Sequence, residues 1–113
     1  MITLYGIKNC DSVKKAKRWL DTNTVNYRFH DFRINGLEPQ LLNDWIQRIQ
    51  YTVLLNTRSR TWKELSMDER DNLNQEKALR LMLKYPTLIK RPVMDTGKEL
   101  LVGFSEQSYS GLF

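Results

Sequence analysis

The hydrophobic period changes twice near the start of this chain, and that change constrains the fold more than any other feature. Residues 2–5 (Ile-Thr-Leu-Tyr) form a short apolar run that reads as a strand. From residue 11 to 21 the period is helical: Val13, Ala16 and Leu20 share one face, while Lys14, Lys15, Arg18 and Asp21 share the other. Between Asn26 and Asp31 the period shortens to two, with Tyr27 and Phe29 on one side. A strand, a helix and a second strand in such close succession make a βαβ unit, with parallel strands and a right-handed crossover.

The first junction of that unit holds the only cysteine, Cys10. Gly6 is expected to let the chain turn, and Asn9, Asp11 and Ser12 suit a helix start. Cys10 is therefore expected where a strand ends and a helix begins. Free N–H groups and the positive end of the helix dipole favour an anion there, and the same environment favours a nucleophilic thiolate. Lys8 and Lys14 add positive charge nearby, and Asp11 subtracts some. The competing reading of a lone cysteine is a small buried hydrophobe. Position by itself does not separate the two, and nothing in the sequence ties the single histidine, His30, to Cys10.

With 113 residues the chain is long enough for one domain and not for two. One cysteine excludes an internal disulfide and suits a reducing compartment. No apolar run approaches the length of a membrane span, and no basic segment precedes an apolar one near the start. The expectation is a cytoplasmic chain without a membrane partner. The formal net charge is +5, but the basic residues are scattered as Lys14-Lys15, Lys17-Arg18, Arg58, Arg60 and Lys90-Arg91. Without a concentrated basic face or a known motif, nucleic acid is not the expected partner, and a small anionic ligand fits better.

Further along, Leu37, Leu41, Leu42, Trp45, Ile46 and Ile49 repeat with a helical period, and Pro39 fits the first turn. Val53-Leu54-Leu55 reads as a buried anchor, followed by a polar loop from Asn56 to Arg60. Thr61 with Glu64, and Ser66 with Glu69, have the spacing of capping boxes. A longer helix then runs to about Tyr85, with Ala78, Leu79, Met82 and Leu83 inward; Asn74 is a point of interruption and Pro86 a stop. Val93-Met94 and Glu99 to Val102 form a hairpin about Gly97, and a short helix follows Ser105. The order is β-α-β-α, a helical insertion at about 52–85, then β-β-α. With the insertion set aside, this is the element order of a thioredoxin-like fold with a mixed four-stranded sheet.

A cysteine at the first strand–helix turn, the βαβ opening, a helical insertion and Arg91-Pro92 before the third strand now coincide. The chain resembles the ArsC/Spx family of small thioredoxin-fold proteins, especially its bacterial YffB-type members. The resemblance rests on LYGIKNCDSVKKAKRWL at the start, WI in the second helix, LLNTRSRTWKEL in the insertion, LIKRPV before the hairpin and LVGF after it. It spans residues 1–113 as one domain. It implies that Cys10 is the catalytic cysteine, that Pro92 follows a cis peptide bond facing it, and that Arg91 contacts an anion. Arg58 matches an anion-contacting arginine of the insertion, with Arg60 the alternative in that register and more simply a solvated residue. Two departures stand out. The arginine that arsenate reductases of the family carry after the final hairpin is missing, because Val102-Gly103-Phe104 stand there. The C-x-x-C of Spx-type regulators is missing too, because Val13 takes the place of the second cysteine.

These residues imply a monothiol oxidoreductase with Cys10 as nucleophile. Glutathione is the expected cosubstrate, with no tightly bound cofactor and no metal, and glutaredoxin is a further candidate partner. Arg91 and Arg58 would hold an anionic thiol ligand, Pro92 would border it, and Asn9 and Lys8 would attend the sulfur. The alternative is a binding module that contacts RNA polymerase, as Spx-type regulators do, without turnover. Arsenate reduction ranks third.

Overall fold

In the computed structural model, which describes residues 1–113, the opening residues fold as β1 (Ile2–Gly6), α1 (Asp11–Thr22) and β2 (Tyr27–Asp31). A one-turn helix, α2 (Phe32–Asn35), follows directly. Next come α3 (Pro39–Arg48), α4 (Tyr51–Leu54), α5 (Arg60–Glu64), α6 (Met67–Arg70) and α7 (Gln75–Lys84), then a 3-10 turn at Pro86–Leu88. The chain ends with β3 (Val93–Asp95), β4 (Leu100–Val102) and α8 (Glu106–Ser110). The strands form one sheet in the order β2-β1-β3-β4. β1 and β2 are parallel, and the β1–β3 and β3–β4 pairs are antiparallel. The sheet is therefore mixed and four-stranded, in an α/β chain with thioredoxin-like element order.

The chain divides into two compact units. The first comprises Met1–Gly36 and Arg91–Phe113 and contains the whole sheet. Leu4, Ala16, Leu20, Met94 and Tyr109 are fully buried together, with Ile2, Trp19, Phe29, Leu101 and Phe104 packed against them. The inward stripe of α1 is the one its spacing predicts: Val13, Ala16 and Leu20 are all buried. Tyr109 anchors α8 by edge-on contacts, with its ring 5.5 Å from Trp19 and 4.8 Å from Phe104. Burial raises the pKa of its phenol.

Gly6 corrects the first expectation. It lies within β1, and the turn is made by Lys8 and Asn9. A Cβ at Gly6 would stand 2.6 Å from Cγ2 of the buried Val13, so glycine is needed for the close approach of α1 to the strand. Gly6→Ala is expected to reduce stability by about 1–2 kcal/mol net, since overpacking outweighs the smaller gain from stiffening the unfolded chain. A denaturant midpoint unchanged from wild type would show that Val13 simply rotates away.

The second unit, Leu37–Lys90, is helical. α3 packs on α7, burying Leu42, Trp45, Ile46, Ala78, Leu81 and Met82. The segment is closed on itself by backbone bonds from Asn56 N–H to the Leu88 carbonyl (2.7 Å) and from Lys90 N–H to the Leu54 carbonyl (2.8 Å). Local signals fare unevenly here. The Ser66–Glu69 capping box forms in both directions, and Asn74 caps α7 by accepting from Lys77 N–H, which splits the expected long helix in two. α5, however, is capped by Ser59 accepting from Trp62 N–H, not by Thr61, whose hydroxyl instead bonds that of Thr87. Leu54 and Leu55 are buried as expected, but Val53 is exposed, because the short helix α4 turns it to the far side. Leu79 and Leu83 are half-buried, and Leu81 takes an inward position.

Candidate active site at the first strand–helix junction

β1 delivers the chain to a tight turn, closed by Cys10 N–H donating to the Ile7 carbonyl at 3.3 Å. Cys10 is the N-cap of α1: its backbone is extended, and its carbonyl accepts from Lys14 N–H at 3.0 Å. From the N-cap position a side-chain acceptor reaches the second and third amides of the helix. Those amides belong to Ser12 and Val13, and no side chain caps them. The sulfur is therefore carried at the positive end of α1, beside first-turn N–H groups that no side chain satisfies. Cys10 is half-buried, neither sealed in the core nor fully open. The sulfur thus stands at a helix N-terminus and stays within reach of a partner.

A buried carboxylate holds this turn in place. Asp31 ends β2, directly opposite Gly6 in the parallel register, and is only 5% exposed. One of its oxygens accepts from Lys8 N–H at 3.2 Å, and the other accepts from Arg33 N–H at 2.8 Å. Its own N–H donates to the Asn35 side chain. The same residue thus caps α2 and pins the loop leading to Cys10. Sequence reading placed Asp31 at a strand end and gave it no role. Its only signal is the position, at the end of an alternating run, where a capping carboxylate also suits α2.

Pro92 belongs to the same end of the sheet. β3 runs antiparallel to β1 with Tyr5 opposite Val93, so the residue before Val93 falls alongside the end of β1 that leads to Cys10. The Arg91–Pro92 peptide is cis. The Pro92 carbonyl accepts from Gly103 N–H at 2.8 Å, which fastens the segment to the residue after β4. Gly103 has a positive φ of 81° and starts the link to α8. Arg91 is half-buried at the head of this segment.

The remaining expected site residues are placed as follows. Lys8 and Asn9 are exposed in the turn before Cys10. Lys8 takes part in the turn through its main chain. Arg58 lies in the other compact unit, exposed, with its N–H held by the Asn56 side chain at 3.1 Å. Arg60 is exposed and pairs with Glu64 at 3.2 Å along its own helix. His30 is occupied elsewhere: Nε2 donates to the Gly36 carbonyl at 2.8 Å, and the ring packs against Tyr5 and Phe32. No group of three or more His, Cys, Asp or Glu side chains converges as a metal site. No helix is long and apolar enough to cross a membrane.

Comparison with known proteins gives this junction a family context. The model of the ArsC family matches residues 5–112. An uncharacterized protein of Haemophilus influenzae is 41% identical over 113 residues, covering 100% of this chain and 99% of that one. Global transcriptional regulator Spx 1 of Lactococcus lactis is 32% identical over 111 residues, covering 94% of this chain and 84% of the regulator. Among solved structures, a YFFB protein superposes with a TM-score of 0.95 at 39% identity, covering 98% of this chain and 97% of that one. With a family model matched over residues 5–112 and the Haemophilus influenzae relative aligned end to end, the chain belongs to the ArsC family.

Proposed function

We propose that Cys10 is the nucleophile of a monothiol, glutathione-linked thiol–disulfide oxidoreductase. The observation that carries this reading is the setting of the chain's single sulfur. It is a half-buried cysteine at an N-cap without side-chain competition for the amides, at the sheet end where Pro92 leads into β3. The Cys10 thiolate attacks the glutathione sulfur of a mixed disulfide R–S–SG. The bond between Cys10 Sγ and the glutathione sulfur forms, the sulfur–sulfur bond of RS–SG breaks, and RS⁻ leaves to take up a proton. No second cysteine exists in the chain to resolve the adduct. A glutathione thiolate therefore attacks the glutathione sulfur of the adduct, releasing the Cys10 thiolate and glutathione disulfide. Glutaredoxin is the other thiol that would do the same. No bound cofactor is required, and a reducing, cytoplasmic setting suits the cycle.

Arg91 is the main anion contact in this reading, offering a guanidinium to a glutathione carboxylate. Lys8 and Asn9 stand at the exposed side of the turn. The test is mass analysis after incubation with glutathione disulfide. We expect one adduct on Cys10, removed by free glutathione. Arg91→Ala should slow its formation about tenfold, the loss of one charge-assisted contact. Arsenate turnover should be negligible, since no arginine occupies Val102-Gly103-Phe104 and a tetrahedral oxyanion needs donors from several directions. Failure of Cys10 to form the adduct would sink the oxidoreductase reading, and brisk arsenate reduction would replace it.

A second reading is favoured by the similarity to Spx 1 of Lactococcus lactis. The chain would then be a regulator that binds RNA polymerase without turnover. Val13 stands where a C-x-x-C pair needs its second cysteine, so any redox response would pass through an adduct on Cys10 and not through an internal disulfide. Capture of polymerase by a chain that shows no exchange with glutathione disulfide would select this reading.

A further inference from the structure

Within the first compact unit a groove of about 590 Å³ runs between α1 and the segment joining β4 to α8. Ser12, Lys15 and Trp19 line one side at helical spacing, so the groove follows a single face of α1. Ser12 lies two residues beyond Cys10, and the groove extends from there toward Asn23 at the far end of the helix. Twelve helical residues span about 18 Å, the reach of about five residues of extended chain.

The lining combines two chemistries. Trp19 and Phe104 are half-buried, and both are held edge-on by the buried Tyr109, so they form a rigid aromatic strip. Lys15 and Arg18 are exposed on the α1 side. Neither joins a salt bridge within the chain, whereas Lys17, between them in sequence, lies over the Phe29 ring at 3.5 Å. Glu106 contributes the single carboxylate of the lining, and the balance is cationic.

We propose that this groove docks an acidic segment, with an aromatic or aliphatic side chain, of the protein whose mixed disulfide Cys10 reduces. The inference deepens the thiol–disulfide reading and rests on it. Charge complementarity selects the occupant: carboxylates meet Lys15 and Arg18, and an apolar side chain lies on Trp19 and Phe104. The groove ends at Ser12, in the first turn of the helix that Cys10 caps, so a docked segment would end close to the sulfur. Charges at such a rim act mainly on encounter rate and partner choice.

The experiment compares wild type with the double variant Lys15→Glu/Arg18→Glu. Three substrates are used: a glutathionylated Asp/Glu-rich peptide containing one Phe, its Lys-rich counterpart, and the small neutral disulfide of 2-mercaptoethanol. Wild type should reduce the acidic peptide with a kcat/KM about tenfold above that for the basic one, and the advantage should shrink as salt is added. The variant should lose about tenfold on the acidic peptide while staying within about twofold of wild type on the neutral disulfide, where no charge is recognised. An unchanged rate on the acidic peptide would overturn the docking proposal. An equal loss on both substrates would also overturn it, because the reversal would then act on Cys10 itself. Self-association or nucleic-acid binding that the double variant abolishes would assign the groove to a different occupant. If wild type fails with the neutral disulfide as well, it is the oxidoreductase reading that falls.

Discussion

Replacing Cys10 by serine should abolish adduct formation with glutathione disulfide and leave the chain as stable as wild type or more so. The two halves of this expectation have one structural origin. Cys10 occupies the N-cap of α1, and its side chain makes no capping bond. Serine is among the preferred residues there, and its Oγ can accept from Ser12 or Val13 N–H. The gain should be about 0.5–1 kcal/mol, or about 2–4 °C in Tm. A structural cysteine would behave differently, because removing a buried apolar sulfur and placing a hydroxyl in the core destabilises. Thermal unfolding of the two proteins, with mass analysis after exposure to the disulfide, separates the cases. A Tm well below wild type would make Cys10 a packing residue. A cysteine where serine would cap better is what the proposed chemistry would leave if stability yields to function.

Asp31→Ala should be the most destabilising single change in the first compact unit outside its apolar core, at about 3 kcal/mol. The carboxylate is buried and accepts from two backbone amides, those of Lys8 and Arg33. Its removal leaves donors without their acceptor at the turn before Cys10 and at the start of α2, each worth about 1.5–3 kcal/mol when the acceptor is charged. Asp31→Asn keeps one carbonyl oxygen and should lose roughly half as much. Denaturant midpoints at constant m give the stability order wild type, then Asn, then Ala. The alkylation rate of Cys10 gives the second readout: Asp31→Ala should slow it through a loosened turn, and Asp31→Asn should restore most of it. Equal alkylation in all three proteins would reduce Asp31 to the cap of α2 and remove it from the site.

Asp31 also shows where sequence reading stops. It stands at the end of an alternating run, and nothing local distinguishes a solvated strand-end carboxylate from a buried one. Its role depends on Lys8, 23 residues earlier in the chain, arriving at the same place because β1 and β2 pair in parallel. Gly6 is similar. The sequence context offers a turn glycine, but the requirement is set by Val13 in the helix that folds back across the strand. The cap of α5 is Ser59, and Thr61 lies inside that helix with its hydroxyl bonded to that of Thr87, a partner 26 residues away.

What the sequence by itself determined is what neighbouring residues decide between themselves. Hydrophobic period set the βαβ opening, the inward stripe of α1 and the hairpin after Pro92. Side-chain oxygens one turn from an amide set the Ser66 box and the Asn74 break. A lone cysteine between a strand period and a helix period set the candidate nucleophile. Tertiary structure alone decided which polar groups are buried, which glycine is required and which faces meet across a groove. Those outcomes are sums over surfaces brought together by the whole chain, and no short window of residues contains both partners of the contact.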